Sequence, residues 1–414
     1  MLVEQGSVAR IQLPLGGFRK VKHDVIFYSG RIWEMFAAPH RIALALAELG
    51  CKVLFCEAPV SPLRKAPRPG GMVDNGVCLF QPAFLSSRIN RIALARDIQA
   101  KGIIRQIEQA SAECELRDPI FLHAYAGDSG AVCRHMRKKY FVVHVSTDYA
   151  PGFGRRDQDY LAEMSDQTLV IPKSRFHQLR ARFGDKITLI PQAVDFSRLI
   201  HAERNDHSAV PADIPSPRLS YLGLPSQNLN RPLLASLLKA HPDWHFVSMG
   251  TEKAVPLPNA YAVPWLSPGA LASYIESADI GFMPYDCYDE ERLHCVPLKM
   301  FEYFAFGVPV VSTPLIHLWE YKDLIYFGDT AEELASAVEA ALDEPLDSPK
   351  RVARIEIARN HSIEKLATVL RGCLPLDQMT ARDDNAGSAR CLWCRSANTR
   401  YAGMQNGPLK EFSE

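Results

Sequence analysis

Short apolar runs alternate along this chain with amphipathic stretches of helical spacing. The alternation occurs twice, on either side of a polar, proline-bearing segment. That pattern is the tightest constraint on the fold, because strands that alternate with helices pair in parallel and bury both faces of their sheet. Val25–Tyr28 reads as a buried strand ending in a Ser29-Gly30 turn. Pro39 then opens a helix whose Ile42, Ala45, Leu46 and Leu49 share one face, and Lys52–Cys56 is the next strand. The unit repeats with strands at Ile120–Leu122, Phe141–Val145, Thr168–Ile171 and Ile187–Ile190, around helices near Ser129–Lys138 and from Ser174. After Ser197–Pro217, with its prolines at 211, 215 and 217, it restarts. Strands are expected at Leu219–Leu222, His245–Met249, Ile280–Met283 and Val308–Val311, and helices at Arg231–Ala240, Ser267–Ala278 and Lys299–Phe306. Amphipathic helices at Thr330–Ala341 and Pro349–Leu370 follow. The expected fold class is α/β, with two doubly wound Rossmann-like domains facing across a cleft at the carboxyl ends of their strands. The expected boundaries are an N-terminal extension (1–21), a first domain (22–198), a linker (199–217) and a second domain (218–348). A C-terminal helix (349–373) able to cross back to the first domain and a mobile tail (374–414) complete the chain.

Composition narrows the class. Hydrophobic residues are 47% and charged residues 23% of 414, ordinary for a soluble enzyme and too apolar for disorder. The longest apolar runs, such as Ile42–Leu49, fall far short of the roughly 20 residues that a membrane span needs. The first 20 residues lack a secretory apolar core. Ten scattered cysteines, most within apolar stretches, read as reduced thiols, so a cytoplasmic location is expected. Lys+Arg and Asp+Glu are 47 each, which argues against a general nucleic-acid binder. The balance hides an asymmetry: residues 1–200 hold 28 basic against 19 acidic residues, and residues 201–414 hold 19 against 28. A basic half facing phosphate groups or an anionic membrane surface fits this, and so do two domains that attract each other.

The most informative segment is Pro297–Pro314, PLKMFEYFAFGVPVVSTP. Pro297 suits a first helical turn. Met300, Phe301, Phe304 and Ala305 are apolar at helical spacing, and Gly307 ends the helix before a β-branched strand. The amino end of such a helix suits a diphosphate. Glu302, alone on an apolar helix, is able to accept from vicinal hydroxyls such as those of a ribose; serving only the helix dipole is the plainer alternative.

This segment resembles the donor-binding signature of GT-B glycosyltransferases, specifically the retaining, nucleotide-sugar-dependent family 4. Pro297, Leu298, Lys299, Glu302, Tyr303, Ala305, Gly307, Pro309, Val310 and Val311 match its core. Weaker echoes occur in family order over roughly residues 22–372. IPQAVDFSRL resembles the end of the family's first domain, and YLGLPSQNLNRPLL the opening of its second. HPDWHFVSMG and ADIGFMPYD resemble later strands. VIFYSGRIWEMFAAPHRIALALAELGCKVLFCEAP resembles the start of members that build cell-surface polysaccharides.

The resemblance implies a hexosyltransferase that uses a nucleotide sugar, UDP- or GDP-linked, with no separate cofactor and no metal, and a glycan or lipid-linked acceptor. It implies that Glu302 holds the ribose, that N–H groups near Leu298–Met300 meet the diphosphate, and that Lys299 adds charge there. Arg231 is a loose match to the cation placed after the Gly223 loop, because the intervening LPSQNLN carries no charge. Asp148 matches the acidic residue after a first-domain strand that faces acceptor or sugar. Fixing a turn is its plainer alternative, as it is for Gly30 beside the diphosphate or acceptor. His144 and His123 are placed toward the acceptor side, with a structural histidine as the alternative. One departure stands out: where the family usually has a glutamate eight positions before Glu302, this chain has His294, with Glu290 and Glu291 nearby. That departure favours the rival of a non-catalytic nucleotide-sugar-binding subunit; a sugar-nucleotide epimerase of the same architecture is a second rival. No DxD signature ends a strand, no Walker A motif occurs, and no G-x-G-x-x-G follows Gly30. Cys391-Leu-Trp-Cys394 is a single CxxC, short of the four ligands a zinc site needs. CRHMRKK (133–139) is a basic helix face suited to solvent or to anionic lipid.

Overall fold

In this computed structural model the described residues are 21–33, 37–63, 66–67, 70–74, 76–85, 92–124, 129–146, 155–203, 214–223, 229–251, 253–287 and 295–377. The first domain runs β1 (Val25–Tyr28), α1 (Ala38–Glu48), β2 (Val53–Cys56), β3 (Gly71–Asp74), β4 (Val77–Phe80), α2 (Ala93–Glu113) and β5 (Ile120–His123). It continues through α3 (Ser129–Met136), β6 (Val142–Ser146), α4 (Arg155–Met164), β7 (Gln167–Val170), α5 (Lys173–Phe183), β8 (Ile187–Leu189) and α6 (Phe196–His201). Its eight strands order as β3-β4-β2-β1-β5-β6-β7-β8. Only β3, at the edge, is antiparallel to its neighbour. Short runs such as VIFY, VLFC and IFLH are buried along their whole length, as strands covered by helices on both faces must be.

The second domain repeats the plan with β9 (Arg218–Leu222), α7 (Arg231–Ala240), β10 (His245–Met249), β11 (Ala260–Val263), α8 (Pro268–Glu276) and β12 (Ile280–Met283). Then come α9 (Leu298–Ala305), β13 (Val310–Ser312), β14 (Ile325–Phe327), α10 (Ala331–Leu342), α11 (Pro349–Asn360) and α12 (Ile363–Cys373). Its strands order as β11-β10-β9-β12-β13-β14, all parallel. Strand order reverses between β1 and β5 in one sheet and between β9 and β12 in the other, and crevices open outside the carboxyl ends of strands at such points.

The structure departs from the sequence reading at several points: α4, β11 and β14 occupy stretches in which no element was expected, and α6 runs into the expected linker. The β3–β4 pair and the 21-residue α2 occupy a stretch in which no element was expected. Pro349–Leu370 is not one helix but two. The chain breaks at His361, whose Nδ1 pairs with Gln192 O at 2.9 Å and whose carbonyl accepts from Val194 N at 2.8 Å. Ser362 then caps α12 by accepting from Lys365 N. The break redirects the chain: α11 lies against α9, while Ile363, Leu366, Ala367 and Leu370 of α12 enter the core that holds β1, β2 and α1. Finally, residues 374–377 are packed rather than tail: Leu374 and Leu376 are buried in that same core, and Leu376 O accepts from Lys22 N at 3.0 Å.

Candidate functional site

Tyr303 fixes α9 against the second sheet. Its ring lies on Gly281 of β12, where even a methyl group would come within 2.5 Å of the ring. Its hydroxyl donates to Ser220 O (2.6 Å) and accepts from Leu222 N (3.0 Å). Met300, Phe301, Phe304 and Ala305 bury the rest of that face. The amino end of α9 therefore sits beside the end of β9, where Gly223 turns with φ 105°. Pro297 precedes the helix and no side chain caps it. The first N–H groups of a helix have no partner within it and carry its positive dipole end.

Lys299, one turn before Tyr303, sends Nζ over the Tyr221 ring, 3.6 Å from its centroid, with Tyr285 at 5.4 Å. The ammonium lies next to Gly223, 3.7 Å from where a β-carbon there would stand. It is held on aromatic faces by cation–π attraction rather than freely solvated. Glu302, three residues on, turns toward the other domain. Its Oε1 accepts from Arg41 Nη2 of α1 at 3.1 Å, and the two side chains are 12% and 7% exposed. Burial pushes the Glu302 carboxyl up from its ordinary 4.5, opposed by Arg41 and then Lys299. Partial burial pushes the Asp195 carboxyl up, and Arg41 draws it down. The crevice thus concentrates an uncapped helix end, an ammonium, a buried carboxylate and a guanidinium between the domains.

Further cross-domain contacts surround this point. Gln192 Nε2 donates to Val296 O (3.1 Å), just before α9, and Lys173 pairs with Glu320 at 2.7 Å. Within the second domain, His361 stacks on Phe301, with ring centroids 4.2 Å apart. At the same carboxyl edge, Trp265 follows β11, half exposed, with its indole over Gly250.

Of the residues singled out in the sequence, Gly223, Pro297, Leu298, Lys299, Met300 and Glu302 meet at this crevice. Met300 contributes only its backbone, since its side chain is buried. Arg231 is exposed at the first position of α7. The preceding residue holds that end of the helix to the end of β12, Asn230 N donating to Pro284 O at 2.9 Å. Gly30 turns with φ 64° after β1, at the corresponding edge of the first sheet. The two histidines are corrected: neither lines an open cleft. His123 and His144 are fully buried on one row with Tyr28, and His144 Nδ1 pairs with His123 O at 3.1 Å. Both His123 ring nitrogens lack a hydrogen-bond partner among the described residues, and burial lowers its pKa to about 3. The basic 133–139 stretch is a solvent-facing surface, with Arg134, Lys138 and Lys139 exposed and acids beside three of its basic residues. His135 meets Asp97 at 2.7 Å, Lys139 meets Glu108 at 2.7 Å, and Arg137 meets Asp166 at 3.8 Å. Asp148, Glu290, Glu291, His294, Cys391 and Cys394 lie outside the described residues.

Sequence reasoning missed Arg41, Tyr221 and Trp265. Arg41 left a trace, as the one guanidinium on the helix APHRIALALAE, which is apolar apart from His40 and Glu48. Among the described residues, no group of three or more His, Cys, Asp or Glu is placed to hold a metal ion.

Comparison with known proteins bears on this crevice. Residues 227–371, the segment that carries α7 to α12, match the family described as glycosyl transferase-like. A relative in Bacillus subtilis (strain 168), TuaH, described as a teichuronic acid biosynthesis glycosyltransferase, is 28% identical over 158 residues. The match covers 34% of this chain and 38% of TuaH, well under half the length of that relative. Among solved structures, a UDP-forming α,α-trehalose-phosphate synthase from Burkholderia xenovorans superposes with TM-score 0.57 at 13% identity, covering 84% of this chain and 99% of its own. A protein described as a UDP-N-acetylglucosamine 2-epimerase, from Listeria monocytogenes, gives 0.52 at 12%, covering 86% and 96%. At such identities the likeness concerns the fold alone, which is the two-domain GT-B architecture.

Proposed function

We propose that the chain transfers a glycosyl group, with retention, from a nucleoside-diphosphate sugar, UDP- or GDP-linked, to a glycan or lipid-linked acceptor in surface polysaccharide assembly on the cytoplasmic side. The observation that carries this reading is the meeting of the α9 amino end, Lys299 and Glu302 at the reversal point of the second sheet, inside the segment that matches the glycosyl transferase-like family. The helix end and the Lys299 ammonium are suited to a diphosphate, and the Glu302 carboxylate to the ribose hydroxyls. Negative charge grows on the diphosphate as the glycosyl bond breaks. Preorganised donors at that position lower the barrier more than they tighten the ground state. Arg231, on the rim, adds a cation to the same leaving group, and Trp265 offers an aromatic face for the base. TuaH supports the polymer context, and the Burkholderia synthase supports a nucleoside diphosphate as leaving group.

A melting screen against UDP, GDP, ADP and CMP sugars tests the reading. At about 100 times its dissociation constant a bound ligand adds about 2.7 kcal/mol of stability. A UDP or GDP sugar is expected to raise the melting temperature, and Glu302→Ala to abolish the rise. No response to any nucleotide refutes the proposal. An altered sugar with free nucleotide and no acceptor points to the epimerase instead.

A further inference from the structure

One surface of the first domain has no part in the crevice. The loops after β2 and β4 meet the first turns of α2 at the carboxyl edge of the sheet. Val60 N donates to Pro82 O (3.0 Å), Ser61 Oγ to Leu85 O (3.0 Å), and Leu85 N to Gln99 Oε1 (3.1 Å). On this knitted edge Leu63, Leu85, Ile92, Leu94 and Ile98 are 60–89% exposed. Single exposed leucines are ordinary, but five large apolar side chains at one edge are not. Leu94 and Ile98 stand one turn apart on the outer face of α2, which continues through Lys101 and Arg105, both exposed. Lys101 reaches back to Asp97 at 3.1 Å while 55% of its side chain stays in solvent. In sequence, residues 60–105 hold eight Lys or Arg against two acids, and Arg96, Lys101 and Arg105 are the basic ones among the described residues. An apolar tip backed by cations on one helix face is the arrangement that lies in a lipid–water interface.

We propose that this edge docks on an anionic lipid bilayer. Leu63, Leu85, Ile92, Leu94 and Ile98 enter the boundary between headgroups and acyl chains, and Lys101 and Arg105 meet the headgroup phosphates. Charge complementarity selects an anionic bilayer over an apolar protein partner, which would face Arg105 and the solvent-exposed part of Lys101 with no negative charge. The loops after β2 and β4 lie at the same end of the sheet as Gly30, so docking turns the cleft mouth toward the membrane. That last consequence rests on the proposed transfer to a lipid-linked acceptor; the docking does not.

The test is co-sedimentation of the full chain with vesicles of phosphatidylcholine alone and of phosphatidylcholine mixed with phosphatidylglycerol. Binding is expected only to the mixed vesicles, weakening as salt rises. Lys101→Ala/Arg105→Ala reduces partitioning about fivefold per cation, and Leu94→Asp/Ile98→Asp abolishes it. Because these positions are exposed, the melting temperature and its response to nucleotide sugars stay at parental values, which separates failure of docking from failure of the nucleotide reading. No sedimentation, sedimentation indifferent to phosphatidylglycerol, or variants that bind like the parent overturns the proposal. A dimer dispersed by Leu94→Asp/Ile98→Asp, in place of vesicle binding, overturns it in favour of self-association.

Discussion

Arg41→Ala probes the ion pair that joins the two domains. The charged atoms are 3.1 Å apart and the side chains only 7% and 12% exposed. At an effective dielectric of about 20, Coulomb's law gives about 5 kcal/mol of attraction. Much of that offsets the desolvation of both ions, but removing one partner leaves the other buried and uncompensated, at a cost of about 3–5 kcal/mol. The cost depends on pH. Burial already holds the Glu302 carboxyl above 4.5, with Arg41 and Lys299 pulling it down. Without Arg41 it rises further, and so does Asp195, which faces the same guanidinium and lies near Arg198 and Glu364. A carboxyl whose folded pKa exceeds its unfolded value binds more protons in the native state, so stability is lost as pH rises through that window. Arg41→Ala should therefore cost little near pH ~4.5, where Glu302 sheds its charge, and about 3 kcal/mol near pH ~7.5. Urea denaturation of the parent, Arg41→Ala, Glu302→Gln and the double variant measures both the trend and the coupling. In the Glu302→Gln background most of the Arg41→Ala cost should vanish, leaving the share due to Asp195. A cost independent of pH, with no coupling between the two positions, refutes the argument.

Other outcomes follow from single contacts. Gly281→Ala drives a methyl group to within 2.5 Å of a Tyr303 ring held by two hydrogen bonds; an overpacking cost of about 1–3 kcal/mol in chemical denaturation is expected, and a variant as stable as the parent contradicts the packing. His123, held neutral with a pKa of about 3 against an ordinary 6.5, binds fewer protons folded than unfolded between those values. Its contribution is full above pH 6.5 and is lost as pH falls toward 3. His123→Phe should accordingly flatten the acid limb of a melting-temperature profile, and an unchanged limb removes His123 as its cause.

Where the sequence was legible, the signal was local. VIFY, VLFC and IFLH announce strands buried on both faces, and the β12–α9–β13 stretch carries its periodicity, proline and glycine within a few residues. The β3–β4 pair escaped notice because both strands are only four residues long and Gly71, Met72 and Val73 of GMVD are exposed. Helix α2 escaped because Gln99 sits among its buried residues, Gly102 stands mid-helix on an open side, and its first turns display Leu94 and Ile98 outward. The candidate site divides the same way. Lys299 and Glu302 are visible through their spacing on one helix, whereas the partner of Glu302 is 261 residues earlier, beyond any local pattern. The break at His361 was hidden for a similar reason: what bends the chain is hydrogen bonding to Gln192 and Val194 from a distant segment, and helical propensity is blind to it.

That break makes the order of synthesis matter. The interior formed by β1, β2 and α1 is completed by Ile363, Leu366, Leu370 and Leu376, which leave the ribosome only after the whole second domain. Until then the nascent first lobe lacks the side chains that pack along α1, and apolar surface exposed in this way is prone to aggregate. The finished molecule is closed like a belt, its trailing end buckled into its leading half. Cutting the chain just past Asn360 would therefore unfasten the lobe farthest away in sequence and leave the adjacent one nearly whole.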